Sequence, residues 1–572
     1  MPFRLLISYL IVSCACMHAY AQTPKRYDVV IDEILADPTP VVGLPNAEFI
    51  ELKNVSDSAF NLKNWKIING TTTATIKSNF ILQPDSFVII CATSSANAYS
   101  NFGAAIGVSN FPSLNNNADI ISLQSPNALI IHTIAYDKSW YQNDIKSAGG
   151  WSLEMIDTKN PCTGFENWKA STNIIGGTPG QKNSIDGINK DEQPPILLRT
   201  YTIDSVTIVA VFNEPLDSNS ASTLSNYFID NGINNPTSAI AQSPLFTQVI
   251  LKFSTKLSAN IIYHLTSNNI SDCVGNVSAS NNVKAGLPVL SDTNDIVINE
   301  ILFNPKTGGY DYAEFYNRSN KIIDMQQLYV ATRDATGLLK SITQLSATPL
   351  LFFPGDYYVI TENTLWVEQN YLVKNPDNMI ELSSLPSFAD DDGIIVLLNQ
   401  NEKLIDELHY NSNWQLAIIT DASGIALERI DYNKPTQNAG NWASAASTAG
   451  YGTPTYQNSE FQSNQFAKGE INITPKIFSP DNDGFEDYCF INYTIPNAGY
   501  VANINIYNAS GRVVRNIAAN ATLALTGTFR WDGLDDKQQK LPVGIYIIVT
   551  QIFDLTGKTK QFKNVVTLAR RM

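Results

Sequence analysis

The sequence has 572 residues, of which 44% are apolar and 16% are charged. This composition excludes a chain that is disordered throughout, and at roughly 100–200 residues per domain the length predicts about three to five domains. The formal net charge is −15. Because an acidic surface repels a phosphate backbone, nucleic acid is not an expected partner.

The first 21 residues have the pattern of a secretory signal peptide. Arg4 supplies a positive charge, residues 5–16 are apolar, and Ala-x-Ala at residues 19–21 precedes Gln22, where we expect the mature chain to begin. A second interpretation reads residues 11–14 as a lipoprotein cleavage box with a lipidated cysteine at position 14. The apolar stretch is too short for a membrane span and no other stretch is suitable, so we expect no transmembrane segment.

One phrase occurs twice in the chain, far apart. It reads VIDEILADPTPVVGLPNAEFIELKNVS at residues 30–56 and VINEILFNPKTGGYDYAEFYNRS at residues 297–319. In the best alignment Glu51 falls on Glu314. Such internal similarity over a long stretch indicates that one structural module is used twice.

Both copies of the module end alike, in GTPGQKNS and in GTPTYQNS. We therefore place the first copy at residues 22–190 and the second at residues 293–462. Their interiors contain short runs rich in β-branched and aromatic residues, such as DSFVIICA and GDYYVIT, separated by frequent turn signals. A helical pattern is confined to a short turn near Thr364–Tyr371, so each copy is predicted to be a β-sandwich.

Two further segments complete the chain. Residues 191–292 follow the polar linker DGINKDEQPP and alternate between apolar and polar residues in SVTIVAVF, which predicts another β-sandwich. Residues 463–572 follow the linker EFQSNQFAKGE and alternate in the same way. A hairpin turn is predicted at residues 508–511.

The two copies resemble the lamin tail domain family. The resemblance rests on INEILFNP, on the pattern E-F-x-E-L-x-N-x-S, on GDY before a strand and on a late LER. It implies an immunoglobulin-like sandwich; in bacteria such domains occur in exported multidomain proteins, sometimes beside secreted nucleases or phosphatases. The first copy departs from the second at Asp32, which aligns with Asn299, and at Met155, which aligns with Arg429.

The middle segment resembles the bacterial Ig-like domain of surface-layer proteins, through FNEPLD and SDCVGN. The last segment resembles the gliding-motility-associated C-terminal domain and the Ig-like domain of flagellar hook-capping proteins, through FSPDNDGFED, INIYNASGRVVR, WDG and LPVGIYIIV. These resemblances imply a Bacteroidetes-type exported protein that uses the type IX secretion route. The expected fold class is all-β, with four tandem Ig-like β-sandwich domains after a signal peptide.

Four cysteines remain after signal removal: Cys91, Cys162, Cys273 and Cys489. They are scattered and form no CxxC pairs, so we predict no zinc site. Export permits a disulfide, and Cys91 with Cys162 is the candidate pair because only these two share a predicted domain. Two separately buried thiols are the alternative.

Two pairs of glutamates recur in the copies, Glu33 with Glu51 and Glu300 with Glu314. A glycosidase needs two carboxylates that flank one bond, so such pairs could serve acid–base chemistry. We favour a structural role, in which each glutamate accepts backbone N–H bonds at a strand end or a turn.

The placement of histidines argues against an enzyme. His132 aligns with Asp406 and His409 aligns with Ala135, so the copies share no histidine. The motifs G-x-S-x-G and H-E-x-x-H and a phosphate-binding glycine loop are also absent from the sequence. We predict a protein with no catalytic residues and no cofactor other than calcium.

The motif SPDNDGFED is the candidate calcium site. Asp481, Asp483 and Asp487 alternate around Gly484, as oxygen donors do in calcium loops, although the glutamate at the twelfth EF-hand position is missing. The alternative is a turn in which the carboxylates accept loop N–H bonds.

Aligned tryptophans raise the question of glycan binding. Trp140 aligns with Trp414 and Trp168 aligns with Trp442. Exposed aromatic side chains would suit a glycan-binding surface, but aromatic residues kept in both copies favour core packing.

The sequence thus predicts an exported, non-catalytic protein on the cell surface or in the medium of a Gram-negative bacterium. Its expected partners are a protein or glycan at the cell surface and the secretion apparatus. The alternatives are an accessory module of an extracellular hydrolase, or a weak hydrolase itself, and a glycan-binding adhesin.

Overall fold

The computed structural model describes residues 23–417, 419–462, 469–554 and 558–570. The predicted signal peptide and Cys14 lie outside these residues. Within them the chain forms strands numbered up to β39 and α-helices of at most seven residues. The predicted all-β fold is therefore confirmed.

Internal contacts divide the chain into two compact bodies. The first holds the described residues up to 256 with residues 264–284, and the second holds residues 257–263 with the described residues from 285 onward. Every sheet draws its strands from one of four segments: 29–170, 197–285, 296–444 and 470–568. This grouping follows the predicted domains, whose boundaries stay predictions.

The first copy forms two main sheets and a small two-stranded one. Its strands β1–β12 are Val29–Leu35, Phe49–Asn54, Phe60–Asn61, Lys66–Asn69, Thr72–Thr75, Ile81–Leu82, Phe87–Ala92, Ala105–Val108, Ala118–Gln124, Ile130–Asp137, Leu153–Met155 and Trp168–Ala170. Helix α1 is Ala96–Tyr99, and the 3-10 helices are Lys138–Tyr141, Lys146–Ala148 and Phe165–Asn167. The sheet orders are β12-β11-β1-β2-β7-β8, β10-β9-β4-β5 and β3-β6.

Strand β1 is buried along its whole length. Ile34 belongs to the main core, whereas the next residue, Leu35, packs with Leu44 and Phe49 in a second apolar cluster. A strand that is covered on both faces reads as a nearly continuous apolar run instead of an alternating one. This explains why β1, with the sequence VVIDEIL, is mostly apolar. Its two acidic residues are exceptions, because they too are buried.

The middle segment is a two-sheet sandwich. Its strands β13–β19 are Leu197–Asp204, Thr207–Phe212, Tyr227–Ile229, Ser238–Ala241, Gln248–Lys252, Tyr263–Ser267 and Asn281–Ala285. Helix α2 is Ser218–Ala221, and a 3-10 helix spans Leu224–Asn226. The sheet orders are β13-β14-β17-β16 and β15-β18-β19.

The second copy repeats the architecture of the first. Its strands β20–β31 are Ile296–Leu302, Tyr312–Asn317, Ile323–Asp324, Leu328–Arg333, Leu339–Gln344, Leu351–Phe352, Tyr357–Thr361, Met379–Glu381, Asp392–Asn399, Leu404–Asn411, Leu427–Arg429 and Trp442–Ser444. The 3-10 helices are Met325–Gln327, Pro376–Asn378, Ser412–Trp414, Ala439–Asn441 and Ser447–Ala449. The predicted helical turn is helix α3, Thr364–Asn370, whose first turn is capped by the Asn363 side chain.

Strand order and register are the same in both copies. The second copy has sheets ordered β27-β26-β21-β20-β30-β31, β24-β23-β28-β29 and β22-β25, which match those of the first strand for strand. The register shifts between Ile31 and Glu33 in one copy and between Ile298 and Glu300 in the other. The residue at each shift is the extra residue of a β-bulge, a feature that redirects side chains.

The C-terminal segment forms a three-stranded and a five-stranded sheet. Its strands β32–β39 are Glu470–Thr474, Ile477–Phe478, Cys489–Thr494, Val501–Asn508, Val513–Thr522, Thr526–Trp531, Gly544–Phe553 and Thr559–Leu568. The sheet orders are β32-β34-β37 and β33-β39-β38-β35-β36. The predicted hairpin turn is confirmed between β35 and β36, where Gly511 takes a positive φ of 79°.

The predicted disulfide pairing is wrong. Cys162 bonds to Cys273 of the middle segment, and Cys91 is a buried free thiol. Cys91 packs instead with Phe49 and Tyr99 in the second apolar cluster. The expectation that bonded cysteines share a domain failed because the first copy and the middle segment belong to one compact body.

Candidate functional site

Each copy carries a row of three glutamates across three neighbouring strands. In the first copy Glu33 of β1 lies opposite Glu51 of β2 and Glu154 of β11. The corresponding row of the second copy is Glu300, Glu314 and Glu428. All six side chains are fully buried. Sequence analysis found two members of each row and missed the third, because that one joins the row only through strand pairing.

In the first copy this row holds the closing loop, residues 177–184. The N–H of Thr178 donates to Glu33 Oε1 at 2.8 Å, and the N–H of Gly180 donates to Glu51 Oε2. The Thr178 hydroxyl lies 2.9 Å from Glu154 Oε1. The glutamates therefore attach the end of the module to its central strands.

The second copy makes the same attachment. The N–H of Thr453 donates to Glu300 Oε1 at 3.0 Å, and the N–H of Thr455 donates to Glu314 Oε2 at 2.5 Å. The Thr453 hydroxyl lies 2.9 Å from Glu428 Oε1. Because the bonds recur atom for atom, the structural interpretation of the repeated glutamates is confirmed.

The rows are electrostatically costly. Burial raises the pKa of Glu33 and of Glu428 to about 8, and the negative charge of the neighbouring carboxylate adds to this effect. It raises the pKa of Glu51 and of Glu314 well above the ordinary value. Like charges directly opposite one another destabilise a sheet, so these rows depend on protonation and on the loop N–H donors.

His132 performs a structural task. The N–H of Ile31 donates to His132 Nδ1 at 2.8 Å, so Nε2 carries the ring proton and donates to the Pro161 carbonyl at 3.0 Å. In the second copy the N–H of Ile298 donates at 2.9 Å to Asp406 Oδ2. Burial lowers the pKa of His132 to about 4, which is consistent with a neutral ring.

The other two histidines of the described chain pair with aspartates. His264 Nδ1 lies 3.0 Å from Asp230 Oδ2, and His409 Nε2 lies 2.8 Å from Asp392 Oδ1. Among the described residues, no hydrogen bond joins a histidine to the glutamate rows.

Aligned tryptophans pack into the cores. Trp168 and Trp442 are buried members of their main core clusters. Trp140 and Trp414 are partly buried and pack against the same clusters. Within the described part of the chain, no tryptophan side chain is exposed, so the row of exposed rings that would favour a glycan-binding surface is not seen there.

The geometry of the candidate calcium site fits a calcium loop and also fits a turn stabilised by its carboxylates. Carboxylate oxygens of Asp481, Asp483 and Asp487 lie within 4.8 Å of one another. Asp487 also accepts the N–H of Asn482 at 2.6 Å and that of Gly484 at 2.9 Å, as a turn-stabilising aspartate would. Calcium binding stays a prediction.

Sequence analysis missed a second acidic cluster, in the first body. Asp191, Glu214 and Asp272 bring carboxylate oxygens within 4.8 Å of one another, next to the disulfide. Burial and the two aspartates raise the pKa of Glu214 to about 7. The three residues come from separate stretches of sequence, so no local pattern indicated that they meet.

The C-terminal segment exposes an apolar sheet face. Ile477 of β33, Val565 of β39 and Ile545 of β38 are each 56% exposed. The pairing of β38 with β39 places Ile547 opposite Val565 on the same face, whereas the inward-facing Ile548 is buried. Alternation along β38 thus builds a core on one side and leaves an apolar surface on the other.

Comparison with protein families identifies three of these regions. Residues 22–138 and 290–412 match the Lamin Tail Domain, and residues 472–568 match the CHU_C Type IX secretion signal domain. The chain contains two lamin tail domains and a type IX secretion signal domain. Both resemblances are thereby confirmed, and the signal domain implies export to the surface or the medium. Each lamin tail match ends before the third glutamate of its row.

Solved structures give only weak likenesses. FlgD from P. aeruginosa is 24% identical over 18% of this chain and 78% of that chain, with a TM-score of 0.14. Surface layer protein SbsC, domains 1–6, is 11% identical over 67% and 55%, with a TM-score of 0.16. Dimeric latent PorU from Porphyromonas gingivalis is 10% identical over 65% and 32%, with a TM-score of 0.16. These values support no argument about function.

No curated protein matches the chain. In the described ranges, no helix combines the length and apolarity that a membrane span requires.

Proposed function

We propose that this protein is a non-catalytic surface or secreted protein. Its lamin tail and Ig-like domains serve at the cell surface as binding modules or as spacers. The observation that carries the proposal is the type IX secretion signal domain at residues 472–568. The glutamate rows and His132 are the groups best suited to acid–base chemistry. Because they are engaged in internal hydrogen bonds, they support a non-catalytic role.

The partner that this function requires is the type IX secretion apparatus. An apolar surface exposed on a soluble domain indicates an interaction site when its residues are contiguous. Ile545, Ile547 and Val565 form such a surface on the signal domain itself, and Ile477 lies on the far side of Thr567 from Ile545. We assign this face to recognition by the apparatus during export.

Deletion of residues 471–572 in the native host tests the export function. The truncated chain is expected to stay folded in the periplasm, because each of the two lamin tail domains has its own apolar core. Arrival of the truncated chain at the surface or in the medium at normal levels would contradict the assignment.

Point substitutions test the recognition face. The double variant Ile545→Lys, Val565→Lys adds two charges at exposed positions and should strongly reduce secretion without unfolding the domain. Ile240→Lys in the Ig-like domain is the control, because Ile240 is 55% exposed and lies outside the signal domain. If the double variant is secreted like the control, recognition uses another surface.

The non-catalytic assignment has a direct assay. The purified mature chain is incubated with nucleic acid, phosphate esters and glycosides, and no turnover is expected. Turnover that disappears in Glu33→Gln would show that the row has access to substrate and would support the hydrolase alternative.

A further inference from the structure

The two lamin tail domains differ at one buried position beside the glutamate row. The residue at the β-bulge is Asp32 in the first domain and Asn299 in the second. Both side chains are buried. The change replaces an amide, which always carries N–H donors, with a carboxyl group, which is a donor only when protonated.

In the second domain the amide completes the hydrogen bonds of the row. Asn299 Nδ2 donates to Glu314 Oε1 at 2.7 Å and to Asn458 Oδ1 at 2.6 Å. Glu314 Oε2 accepts the loop N–H of Thr455. Both oxygens of the Glu314 carboxylate are therefore satisfied.

In the first domain the equivalent bond is missing. Glu51 Oε2 accepts the loop N–H of Gly180, as its counterpart does. Its other oxygen, Oε1, and Asp32 Oδ1 are buried and have no hydrogen-bond partner among the described residues. Glu33 Oε2 of the same row is a third buried oxygen without a partner among the described residues. The two acceptors at the place of the amide bond, Asp32 Oδ1 and Glu51 Oε1, are costly without a donor, and a single proton between them supplies what the amide supplies in the second domain.

We propose that Asp32 is protonated in the folded protein and that its carboxyl O–H donates to Glu51 Oε1, so that the closing loop of the first lamin tail domain is held by a titratable proton. The proton comes from solvent on folding and returns to solvent when the loop opens. The device is independent of the export function and makes the first domain sensitive to external pH at a position where the second is not.

The charges around Asp32 support this direction. Burial raises the pKa of Asp32 from 3.8 to about 7, against the opposing effect of Lys53. The ammonium group of Lys53 on β2 is also 3.8 Å from Asp85. The remaining groups that act on the Asp32–Glu51 pair are acidic, and come from β1, β11 and the segment after the closing loop: Glu33, Glu154 and Asp186.

The sign of the pH dependence follows from the raised pKa. The stabilisation is complete below the ordinary value of 3.8 and is lost as pH rises through about 7. Within this window, opening of the loop releases one proton, so the opening constant rises about tenfold per pH unit for this group. Above the window the Asp32 carboxyl has lost its proton, and its bond to Glu51 Oε1 is lost with it.

Hydrogen exchange of the loop amides in the full mature chain tests the proposal. The Gly180 amide reports the first domain, and the Thr455 amide reports the second as an internal control. After correction for intrinsic exchange, Asp32→Asn should remove about one proton from the pH dependence of Gly180 protection, a factor of about ten per pH unit. Thr455 should not change.

The reciprocal variant Asn299→Asp is the second arm. It should add about one proton to the pH dependence of Thr455 protection and leave Gly180 unaltered. The infrared carbonyl band of a protonated carboxylic acid should weaken in Asp32→Asn and strengthen in Asn299→Asp. An unchanged pH dependence of Gly180 in Asp32→Asn, or of Thr455 in Asn299→Asp, would overturn the proposal.

Discussion

Substitution of Arg429 by methionine, the residue that the first domain has at this position, should destabilise the second lamin tail domain. The guanidinium is fully buried and pairs with Asp406 at 3.1 Å. It also donates to the Ile298 carbonyl at 2.7 Å and to the Thr436 hydroxyl at 2.5 Å. Methionine fills the space but makes none of these bonds.

The expected cost is large because Asp406 would remain buried without its partner. Removal of one member of a buried ion pair typically costs about 3–5 kcal/mol. Burial already raises the pKa of Asp406 against the effect of Arg429. Without Arg429 the carboxyl should protonate more readily, so the loss of stability should be smaller at low pH than at neutral pH.

The first domain provides the rescue. It combines Met155 with His132, whose Nδ1 accepts the same backbone N–H that Asp406 accepts in the second domain. The double variant Asp406→His, Arg429→Met restores that pairing, and the coupling between the two changes should recover about 0.5–3 kcal/mol.

Hydrogen exchange of the peptide 296–302 measures the free energy of opening of the second domain, and the peptide 29–35 of the first domain is the control. A cost below about 1 kcal/mol for Arg429→Met would refute the reasoning, since it would mean that the buried pair has little net value. A double variant as unstable as the single one would refute the equivalence of the two pairs.

Three further predictions follow from other parts of the chain. Cleavage in the exposed linker 186–195 should leave the two fragments joined on a non-reducing gel and separate them after reduction, because Cys162 is bonded to Cys273; separation without reductant would contradict the bond. Calorimetric titration with Ca²⁺ should give a binding heat that is lost in Asp481→Asn, and the absence of heat in the unmodified chain would leave only the turn interpretation. N-terminal sequencing of the exported protein should begin at Gln22, whereas a lipidated cysteine at position 14 would replace secretion by membrane attachment.

Much of the fold was predictable because it depends on local patterns. Runs rich in β-branched and aromatic residues identified the strands of the two copies, and apolar alternation identified those of the other segments. The repeated phrase identified the duplicated domain, and the run around Gly511 identified a hairpin turn. The short helix Thr364–Asn370 was also predicted, from the helical apolar pattern near Thr364–Tyr371. Except for the repeat, which is found by comparing two distant stretches, each of these features is determined within a few residues of sequence.

Features that depend on packing between distant strands were not predictable. Glu154 joins Glu33 only because β11 pairs with β1. Cys162 bonds to Cys273 only because the first lamin tail domain and the middle segment share one compact body. A rule that assigned disulfides within domains could not anticipate either the packing or the bond.

The position of the disulfide depends on the exchange of Asp406 and Arg429 in the second domain for His132 and Met155 in the first. Thr436 of the second domain aligns with Cys162 of the first, and its hydroxyl lies 2.5 Å from Asp406 Oδ1. A cysteine there would leave that buried carboxylate oxygen with a weaker donor. In the first domain His132 takes the place of the aspartate and bonds to the Pro161 carbonyl instead, so the next residue is not needed as a donor. The change from an aspartate–arginine pair to a histidine–methionine pair therefore frees this loop position from its hydrogen bond to the aspartate and lets it carry the disulfide to the middle segment.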